Sequence, residues 1–579
     1  MCGIAGFNFK VDKELVFDRL FHRGPDARGF FCDNFFSFFH TRLAIQDLDE
    51  KANQPFFYKN YLIVFNGEIY NHLELRRLIN YEFQTNSDTE TLLHLYLNFK
   101  EDMFKYIDGM FAFCIYDLKE KKLFLARDRT GKKPLYIYQK GKRFGFGSEI
   151  NVFKFLNLEI DEEDIKLFLS TGFCESGFKE VKEFPPGCYG YFDKELKIEK
   201  YFEAKSYFRE EISFEDGVWE VEENLKKAIQ RRILSSDVEV GAFLSGGIDS
   251  SLICAMASKE KKLKVFTVRF EGSFDESQLA SLVSRKYGLE HVIIDIKMDV
   301  KDHIKHILTS YGKPFFDSSS IPSFFVSKEA RKYVKVVLSG DGADELFSGY
   351  RRYVPFYYGL DKIAKFLPQI FSPNTRGLAM FLDRLIRASK KEGIGWYNVL
   401  LNDLFEDVFK LEGEKIKNLD NFIKSIKLDN FNKLLYLDFA LNLRFDLLPK
   451  IDIASMSNSL EIRSPFLAKE LLELAPKIKG KIKFFKTKAI LREIAKKYLP
   501  MEIVKAEKRG FEIPLTQWVN GDLNEIIMDY LNQGFYKNFV DERLVRKIVE
   551  RKISLSEDKR AKILYLLFAL EVWYENRFF

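Results

Sequence analysis

The sequence predicts an α/β protein made of two domains, and three observations support this prediction. A chain of 579 residues exceeds what one hydrophobic core usually holds. Residues 110–148 have the pattern of a meander of short strands. Residues 238–338 alternate apolar runs with helical patterns, as a doubly wound parallel sheet requires. We therefore expect domains at 1–205 and 214–579, joined by a polar linker over 203–213.

The composition is that of an ordinary globular protein. Hydrophobic residues make up 46% of the chain, and 91 basic residues nearly balance 85 acidic ones, so the basic excess of a nucleic-acid-binding protein is lacking. No apolar run reaches the ~18 residues that a membrane span needs, and no signal peptide is recognisable. The six cysteines show no metal or Cys-x-x-Cys spacing, which indicates a reducing compartment. We expect a cytoplasmic protein with no nucleic-acid or membrane partner.

Hydrophobic periodicity places the elements of both domains. In the first domain we expect helical structure over 150–170 and a strand pair around 185–187. The second domain opens with an amphipathic helix over 216–233. The strands that follow are expected at 238–244, 264–270, 291–295 and 334–338, and the helices at 252–258, 275–287, 301–310 and 322–332.

The first chemically informative residue is Cys2. A small residue at this position permits removal of Met1, which would leave Cys2 with a thiol and a free α-amine. An α-amine with a pKa of roughly 7.7 to 8.0 can take a proton from the thiol near neutral pH, so this arrangement needs no histidine. Taken alone, Cys2 is better explained as a small buried apolar residue.

A nucleophilic role for Cys2 is favoured by the polar clusters that follow it in the sequence, at 22–26, 42–45, 66–71 and 87–90. Several of these clusters follow aromatic-rich apolar segments, so we expect them in loops at strand ends. Asn66 and Gly67 can stabilise an oxyanion. Arg42 can hold a carboxylate and Asp88 an ammonium group. Together with Cys2 they predict hydrolysis of an amino acid's side-chain amide. Asn-Gly is also typical of a type I′ hairpin turn, and the two interpretations are compatible.

These motifs, from the Cys-Gly-Ile start through Asn-Gly-Glu-Ile-Tyr-Asn to Ser-Asp-Thr-Glu, resemble those of the class II glutamine amidotransferases. The resemblance implies an N-terminal-nucleophile αββα sandwich, with Cys2 as nucleophile and an oxyanion hole at Asn66 and Gly67. It also implies glutamine contacts from Arg42, Leu43, Ala44, Ile45, Gln46, Asn66, Gly67, Glu68 and Asp88.

The second domain contains Ser-Gly-Gly-Ile-Asp-Ser-Ser at 245–251, between an expected strand and an expected helix. The glycines and the helix N-terminus favour a phosphate ligand, and Asp249 could hold Mg²⁺ against it. The lysine of a Walker A loop is absent, and a plain serine-rich helix cap is the alternative. A second loop, at 339–347, also follows an expected strand, and its Asp344 could share the ion with Asp249; a solvated acidic turn is the alternative.

The first loop resembles the pyrophosphate loop of the ATP pyrophosphatase superfamily. This implies ATP binding through Leu244, Ser245, Gly246, Gly247, Asp249, Ser250, Val268, Ser339 and Gly340. Further motifs at 448–452, 455–456, 459–467 and 508–511 resemble those of glutamine-hydrolysing asparagine synthetases, over nearly the whole chain except 355–433. That resemblance implies a helical C-terminal part, catalytic roles for Asp341, Asp452 and Lys508, an internal apolar ammonia passage and a homodimer.

The chain departs from that pattern at a few positions. Asp341 stands where glutamate is usual, Ile453 where arginine is common, and Ala343 and Ser348 replace frequent glycines. The acceptor implied is the β-carboxylate of aspartate, with a sugar acid of a surface polysaccharide as the alternative. A tRNA-modifying enzyme is disfavoured by the charge balance and the lack of a cysteine pair. A non-catalytic binding protein would have no use for a nucleophile at its N-terminus.

Overall fold

The structure, a computed structural model, describes residues 2–209, 211–270, 277–296, 299–369, 377–401, 408–506 and 513–578. Its N-terminal part contains two six-stranded antiparallel sheets, with strand orders β10-β8-β9-β1-β3-β2 and β12-β11-β7-β6-β5-β4. The strands are β1 Gly3–Phe7, β2 Ala27–Cys32, β3 Ser37–Arg42, β4 Phe56–Tyr58, β5 Tyr61–Ile69, β6 Gly109–Asp117, β7 Lys122–Arg127, β8 Tyr136–Lys140, β9 Arg143–Gly147, β10 Val181–Glu183, β11 Cys188–Phe192 and β12 Leu196–Lys200.

Helices cover the outer faces of these sheets. They are α1 Lys13–Leu20, α2 His72–Arg76, α3 Asp88–Phe99 and α4 Glu162–Thr171. One apolar core lies between the two sheets, a second joins α1 and α4 to the first sheet, and a third joins α3 to the second sheet. The helix ends have local causes: Ser87 caps α3 by accepting from Thr89 N, and Gly172, with φ +82°, ends α4. The expected αββα sandwich is confirmed.

The C-terminal part is built on a parallel sheet of order β15-β14-β13-β16-β17. Its strands are β13 Val240–Phe243, β14 Lys264–Phe270, β15 Glu290–Ile296, β16 Val336–Leu338 and β17 Glu461–Arg463. The chain begins this sheet at β13 and extends it in both directions, so the strand order reverses between β13 and β16. Ligands of doubly wound sheets bind at such a reversal, beyond the carboxyl ends of the strands.

Helices pack on both faces of the parallel sheet, and a further helical layer follows. Those in or next to the sheet are α5 Phe214–Leu234, α6 Ile248–Ala257, α7 Ser277–Tyr287, α8 Val300–Ser310, α9 Ser320–Ala330 and α10 Ala343–Leu346. The remaining ones are α11 Val354–Tyr357, α12 Asp361–Ala364, α13 Leu378–Ser389, α14 Gly393–Leu401, α15 Glu414–Ser425, α16 Asn430–Leu437, α17 Leu448–Met456, α18 Lys469–Leu474, α19 Ala489–Tyr498, α20 Met501–Lys505, α21 Leu515–Asn520, α22 Asn524–Gln533, α23 Glu542–Val549 and α24 Glu557–Glu575, with a π-helical turn at Asp438–Leu447.

The two parts share apolar cores rather than meeting at a polar linker. Leu43 and Met110 of the sandwich lie in one cluster with Leu244 and Phe466 of the parallel-sheet part. The expected linker over 203–213 is itself packed: it contains a 3₁₀ helix at Ala204–Arg209, and Ile212 N donates to Lys477 O at 3.0 Å. Because a large apolar interface resists relative motion, the structure holds the two parts in one orientation. Within the described ranges, no helix has the length and apolarity of a bilayer span.

One local expectation was wrong. The strand pair around 185–187 is not a hairpin, because β10 pairs with β8 in one sheet and β11 pairs with β7 and β12 in the other. The intervening turn therefore passes from sheet to sheet.

Candidate active sites

Cys2 is buried and immediately precedes β1, a strand with neighbours on both sides. Its backbone N donates to Asn66 Oδ1 at 3.2 Å, and Arg23 Nε donates to its carbonyl oxygen at 3.1 Å. Burial raises the pKa of the Cys2 thiol. Removal of Met1 would make the nitrogen beside Asn66 an α-amine, which supplies the base that such a thiol requires.

Asn66 and Gly67 lie inside β5, where they face Ala112 and Phe111 of β6, so the expected loop or hairpin turn at this position is wrong. On the other side, β4 pairs with β5 only from Tyr61 to Ile63. The strand edge at Gly67 therefore faces the pocket next to Cys2. A Cβ on Gly67 would lie 2.1 Å from Met110 O, so only glycine fits there.

A small pocket opens beside Cys2. Ala44 does not line it; its backbone N donates to Asp26 Oδ2 at 2.8 Å instead. The Arg42 guanidinium is oriented by the following loop, through Asn53 Oδ1 at 2.7 Å and Asp49 O at 2.9 Å. The predicted glutamine-site residues that line the pocket together are Cys2, Arg42, Leu43, Ile45, Gln46, Gly67, Glu68 and Asp88.

Asp88 and Glu68 form an acidic wall of this pocket. Burial raises the pKa of Asp88 to about 7, although Ile69 N donates to its Oδ2 at 2.8 Å. Burial also raises the pKa of Glu68, against the opposing charge of Arg463, whose NH2 lies 3.3 Å from Glu68 Oε1. An ammonium group in the pocket would favour the ionised form of both carboxyls.

Arg463 comes from β17 of the parallel sheet and does not line the pocket, so the second domain reaches the first site through its contact with Glu68. Its Nε donates to Glu461 Oε1 at 2.5 Å, while its own carbonyl accepts from Ser339 N at 2.9 Å. Arg463 lies in the motif at 459–467, but no role was predicted for it. Nothing in its local sequence indicates a partner almost four hundred residues away.

The first predicted phosphate loop lies between β13 and α6. Ser250 Oγ is 3.2 Å from Ser245 N and 3.0 Å from Ser245 Oγ, so a serine of the helix closes the turn. Gly246 has φ +74°, a conformation that favours glycine. Leu244 follows β13, and Val268 lies near the carboxyl end of the neighbouring β14.

The second loop, between β16 and α10, packs directly against the first. A Cβ on Gly340 would lie 3.0 Å from Asp249 Cβ. Asp249 and Asp344 converge on the ammonium group of Lys488, which contacts Asp249 Oδ2 and lies 2.7 Å from Asp344 Oδ1. Burial lowers the pKa of Lys488, but the two carboxylates hold it above its usual range.

This convergence is the test of the predicted Mg²⁺ site. The two carboxylates present hard oxygen atoms to a single positive charge, which is the donor chemistry that Mg²⁺ requires. Among the described residues, no set of three or more His, Cys, Asp or Glu side chains is arranged to hold a metal. Asp249 and Asp344 therefore fit Mg²⁺ together with phosphate oxygens, rather than an all-protein metal cage. Lys488 was missed in the sequence analysis because it lies 239 residues from Asp249.

Asp341 and Asp452 occupy different surroundings. Asp341 Oδ2 accepts from Ser339 Oγ at 2.5 Å and is partly exposed. Asp452 is fully buried where the domains meet and pairs with Arg23 at 2.9 Å and Lys133 at 2.8 Å, both from the sandwich. Burial raises the pKa of Asp452, but these two cations lower it to about 2. Lys508 lies outside the described residues.

Comparisons with known proteins agree with a two-domain architecture. A family model described as asparagine synthase matches residues 220–575, and one described as a glutamine amidotransferase domain matches residues 1–203. The chain is 32% identical to glutamine-hydrolyzing asparagine synthetase 1 of Bacillus subtilis, across 99% of this chain and 96% of that one. It is 36% identical to a putative glutamine-hydrolyzing asparagine synthetase 2 of Methanocaldococcus jannaschii, across 63% of this chain and 79% of that one. The chain belongs to the asparagine synthase family.

Proposed function

We propose that this protein is a glutamine-dependent and ATP-dependent asparagine synthetase. The observation that carries the proposal is the full-length similarity to a relative of that name. The same chain holds a buried cysteine beside an acidic pocket and a pair of carboxylates at the strand-order reversal of a parallel sheet.

In the first site, the α-amine of Cys2 takes the thiol proton, and the thiolate attacks the side-chain amide carbon of glutamine. Asn66 and Gly67 stabilise the oxyanion, and ammonia leaves as the thioester forms. Water then cleaves the thioester and releases glutamate. The glutamine carboxylate is assigned to Arg42 and its ammonium group to Asp88.

In the second site, the loops at 245–251 and 339–347 bind ATP, and the acceptor carboxylate attacks the α-phosphorus with loss of pyrophosphate. The resulting acyl adenylate reacts with ammonia at its carbonyl carbon, which gives the amide and AMP. Mg²⁺, held by Asp249 and Asp344, would neutralise charge on the pyrophosphate oxygens. We assign Asp341, Asp452 and Lys508 to the adenylation step, as the family resemblance implies.

Purified protein supplied with ATP, Mg²⁺, aspartate and either glutamine or ammonium chloride tests this function. We expect asparagine and AMP from both nitrogen sources, and from ammonium alone when Cys2 is replaced in Cys2→Ala. Loss of both activities in that variant would contradict the two-site scheme.

A second candidate keeps the chemistry and changes the acceptor to a sugar acid. The observation in its favour is Asp341, whose side chain is one methylene shorter than the usual glutamate. Glutaminase activity without asparagine formation would favour this candidate, and a set of uronic acids supplied with ATP and ammonium would then identify the acceptor by AMP release.

Three further assignments belong to the same proposal. These are domain limits at 1–205 and 214–579, a homodimer, and a cytoplasmic location without nucleic-acid or membrane partners. Light scattering of the purified chain would test the dimer, and a monomer would contradict it.

A further inference from the structure

A turn of the sandwich domain reaches across to the second site. The turn joins β7 to β8 and is organised by Asp128, whose carboxylate accepts from the backbone N of Thr130 at 3.0 Å and of Lys132 and Lys133 at 2.9 Å each. A carboxylate that accepts several backbone hydrogen bonds holds a turn in one conformation. These bonds therefore hold the backbone that carries the two lysines in one conformation.

Lys132 points into the second domain, with its side chain 4% exposed. Its Nζ donates to Ser464 Oγ at 2.9 Å and lies 3.9 Å from Asp341 Oδ2. Ser464 Oγ is 3.4 Å from both Asp341 Oδ2 and Ser339 Oγ. A positive charge from one domain thus lies beside the polar cluster that begins the ATP loop of the other.

The polar cluster around Ser464 lies at the edge of the sheet where a ligand is expected to bind. Ser339 and Ser464 follow β16 and β17, next to the strand-order reversal where the ligand of a doubly wound sheet binds. The Asp341 carboxylate, which forms an ion pair with Lys132, lies 3.9 Å from its Nζ and is therefore beyond hydrogen-bond distance. Because burying a charge without close compensation is costly, a purely structural role for a lysine here is disfavoured.

We propose that Lys132 is a positioning residue of the amide-forming site: it orients Ser464 and Asp341, and it keeps a positive charge beside the acceptor. This inference rests on the proposed function and deepens it, since the synthetase site would then be incomplete without the glutaminase domain. Ammonium-dependent synthesis, which does not use Cys2, would still require this residue of the glutaminase domain.

The charge of Lys132 gives the proposal a pH signature. Burial lowers the pKa of Lys132 to about 8, and Lys133 acts in the same direction, while Asp341, Asp452 and Asp128 oppose the shift. The side chain is charged below that pH and loses its charge as the pH rises through about 8. At a constant concentration of free ammonia, the rate of asparagine formation should therefore fall above about pH 8. Lys132→Arg, whose guanidinium stays charged, should shift this fall to higher pH.

The experiment measures asparagine formed from ATP, Mg²⁺, aspartate and ammonium chloride in chains that carry Cys2→Ala. Lys132→Met should lower kcat about tenfold or more, as expected for a lost charged hydrogen bond, and leave the KM for ATP unchanged. Lys132→Arg should restore most of the rate, and Lys142→Met, at an exposed lysine of the same domain, should behave as the parent. With Cys2 intact, glutamate release by Lys132→Met should stay within about twofold of the parent and so report correct folding.

Two results would overturn this inference and leave the proposed function standing. One is a Lys132→Met protein with the parental rate of ammonium-dependent synthesis, and the other is a Lys132→Arg protein whose rate falls at the same pH as that of the parent. A parent chain that makes no asparagine from ammonium would overturn the proposed function and the inference with it. If Lys132→Met fails to fold, Ser464→Ala takes its place, because it removes the hydrogen-bond partner and keeps the lysine. A loss of about fivefold is expected from it, and none would contradict the proposal.

Discussion

Asp452→Asn tests whether the buried ion pairs between the two domains hold them together. Asp452 lies on α17 of the second domain, and both of its cationic partners, Arg23 and Lys133, belong to the first. Arg23 also pairs with Glu149 at 2.8 Å, so it keeps one carboxylate after the substitution. Lys133 loses the carboxylate with which it forms its ion pair. We therefore expect a loss of stability that originates at the domain interface.

The stability lost in Asp452→Asn can be estimated from the depressed pKa of Asp452 and from the general cost of breaking a buried ion pair. A pKa of about 2 for Asp452, against an ordinary value of 3.8, corresponds to roughly 2 to 3 kcal/mol of favourable interaction. Removing one partner of a buried ion pair costs about 3 to 5 kcal/mol, because the other charge remains buried. We expect about 3 kcal/mol at pH 7, which is a fall of several degrees in the unfolding temperature measured by calorimetry.

The pH dependence has a definite sign. Because the folded pKa of Asp452 is depressed, its stabilising effect is complete above the unfolded value of about 4 and is lost as the pH falls towards about 2. The difference between the parent and Asp452→Asn should be constant from pH 8 to pH 5 and should narrow only below about pH 4. Exposed Asp522→Asn is the matched control and should show no difference at pH 7.

The result that refutes this reasoning is an Asp452→Asn protein that unfolds at the parental temperature. If that protein also lost ammonium-dependent asparagine synthesis, Asp452 would act in the chemistry, as the sequence resemblance implies, and not as an anchor. If both stability and synthesis fell while glutaminase activity persisted, the anchor would be supported.

Three further substitutions test the second site and its loop. Gly349→Ala would place a Cβ 1.7 Å from Asp344 Oδ1, so ATP–pyrophosphate exchange should fall about a hundredfold with glutaminase activity retained; normal exchange would contradict this. Ser348 adopts φ +57°, and its buried hydroxyl has no hydrogen-bond partner in the described structure. Ser348→Gly should therefore stabilise the protein by about 1 kcal/mol and raise its unfolding temperature. A lower unfolding temperature would contradict this prediction. Lys488→Met should lower the exchange rate about tenfold or more, because it leaves the Asp249 and Asp344 carboxylates facing each other. The matched control Lys486→Met, at an exposed lysine, should not lower it. Equal exchange rates in the two variants would show that Lys488 has no role in the second site.

The sequence predicted best those features that depend on neighbouring residues. β14 was expected at 264–270 and lies at Lys264–Phe270, and both loops that were predicted to bind phosphate follow strands of one parallel sheet as expected. A buried parallel strand is an uninterrupted apolar run, and glycines mark the turn that follows it, so both signals are local. The membership of Cys2, Arg42 and Asp88 in one pocket was also predictable.

Features that depend on distant partners could not be predicted in this way. Asn66-Gly67 has the local signature of a turn, but β6 extends the pairing of β5 through both residues, so the tertiary contact overrides the local preference. Lys132 and Lys488 contact residues 332 and 239 positions away. A lysine near a glycine turn is usually solvated, and neither side chain has a sequence neighbour that would indicate burial.

The interface combines two kinds of contact with different consequences. Apolar residues such as Leu43 and Phe466 pack in one cluster across the interface, and such contacts tolerate small shifts because the hydrophobic effect is non-directional. Ion pairs such as Glu68 with Arg463 and Arg23 with Asp452 add little net stability relative to apolar replacements, yet they are satisfied in only one geometry. Replacing both partners of such a pair by apolar side chains should therefore preserve the unfolding temperature while loosening the alignment of the two sites. We therefore expect the charged pairs to fix how the two domains are aligned, and the apolar contacts to supply most of the strength of their association.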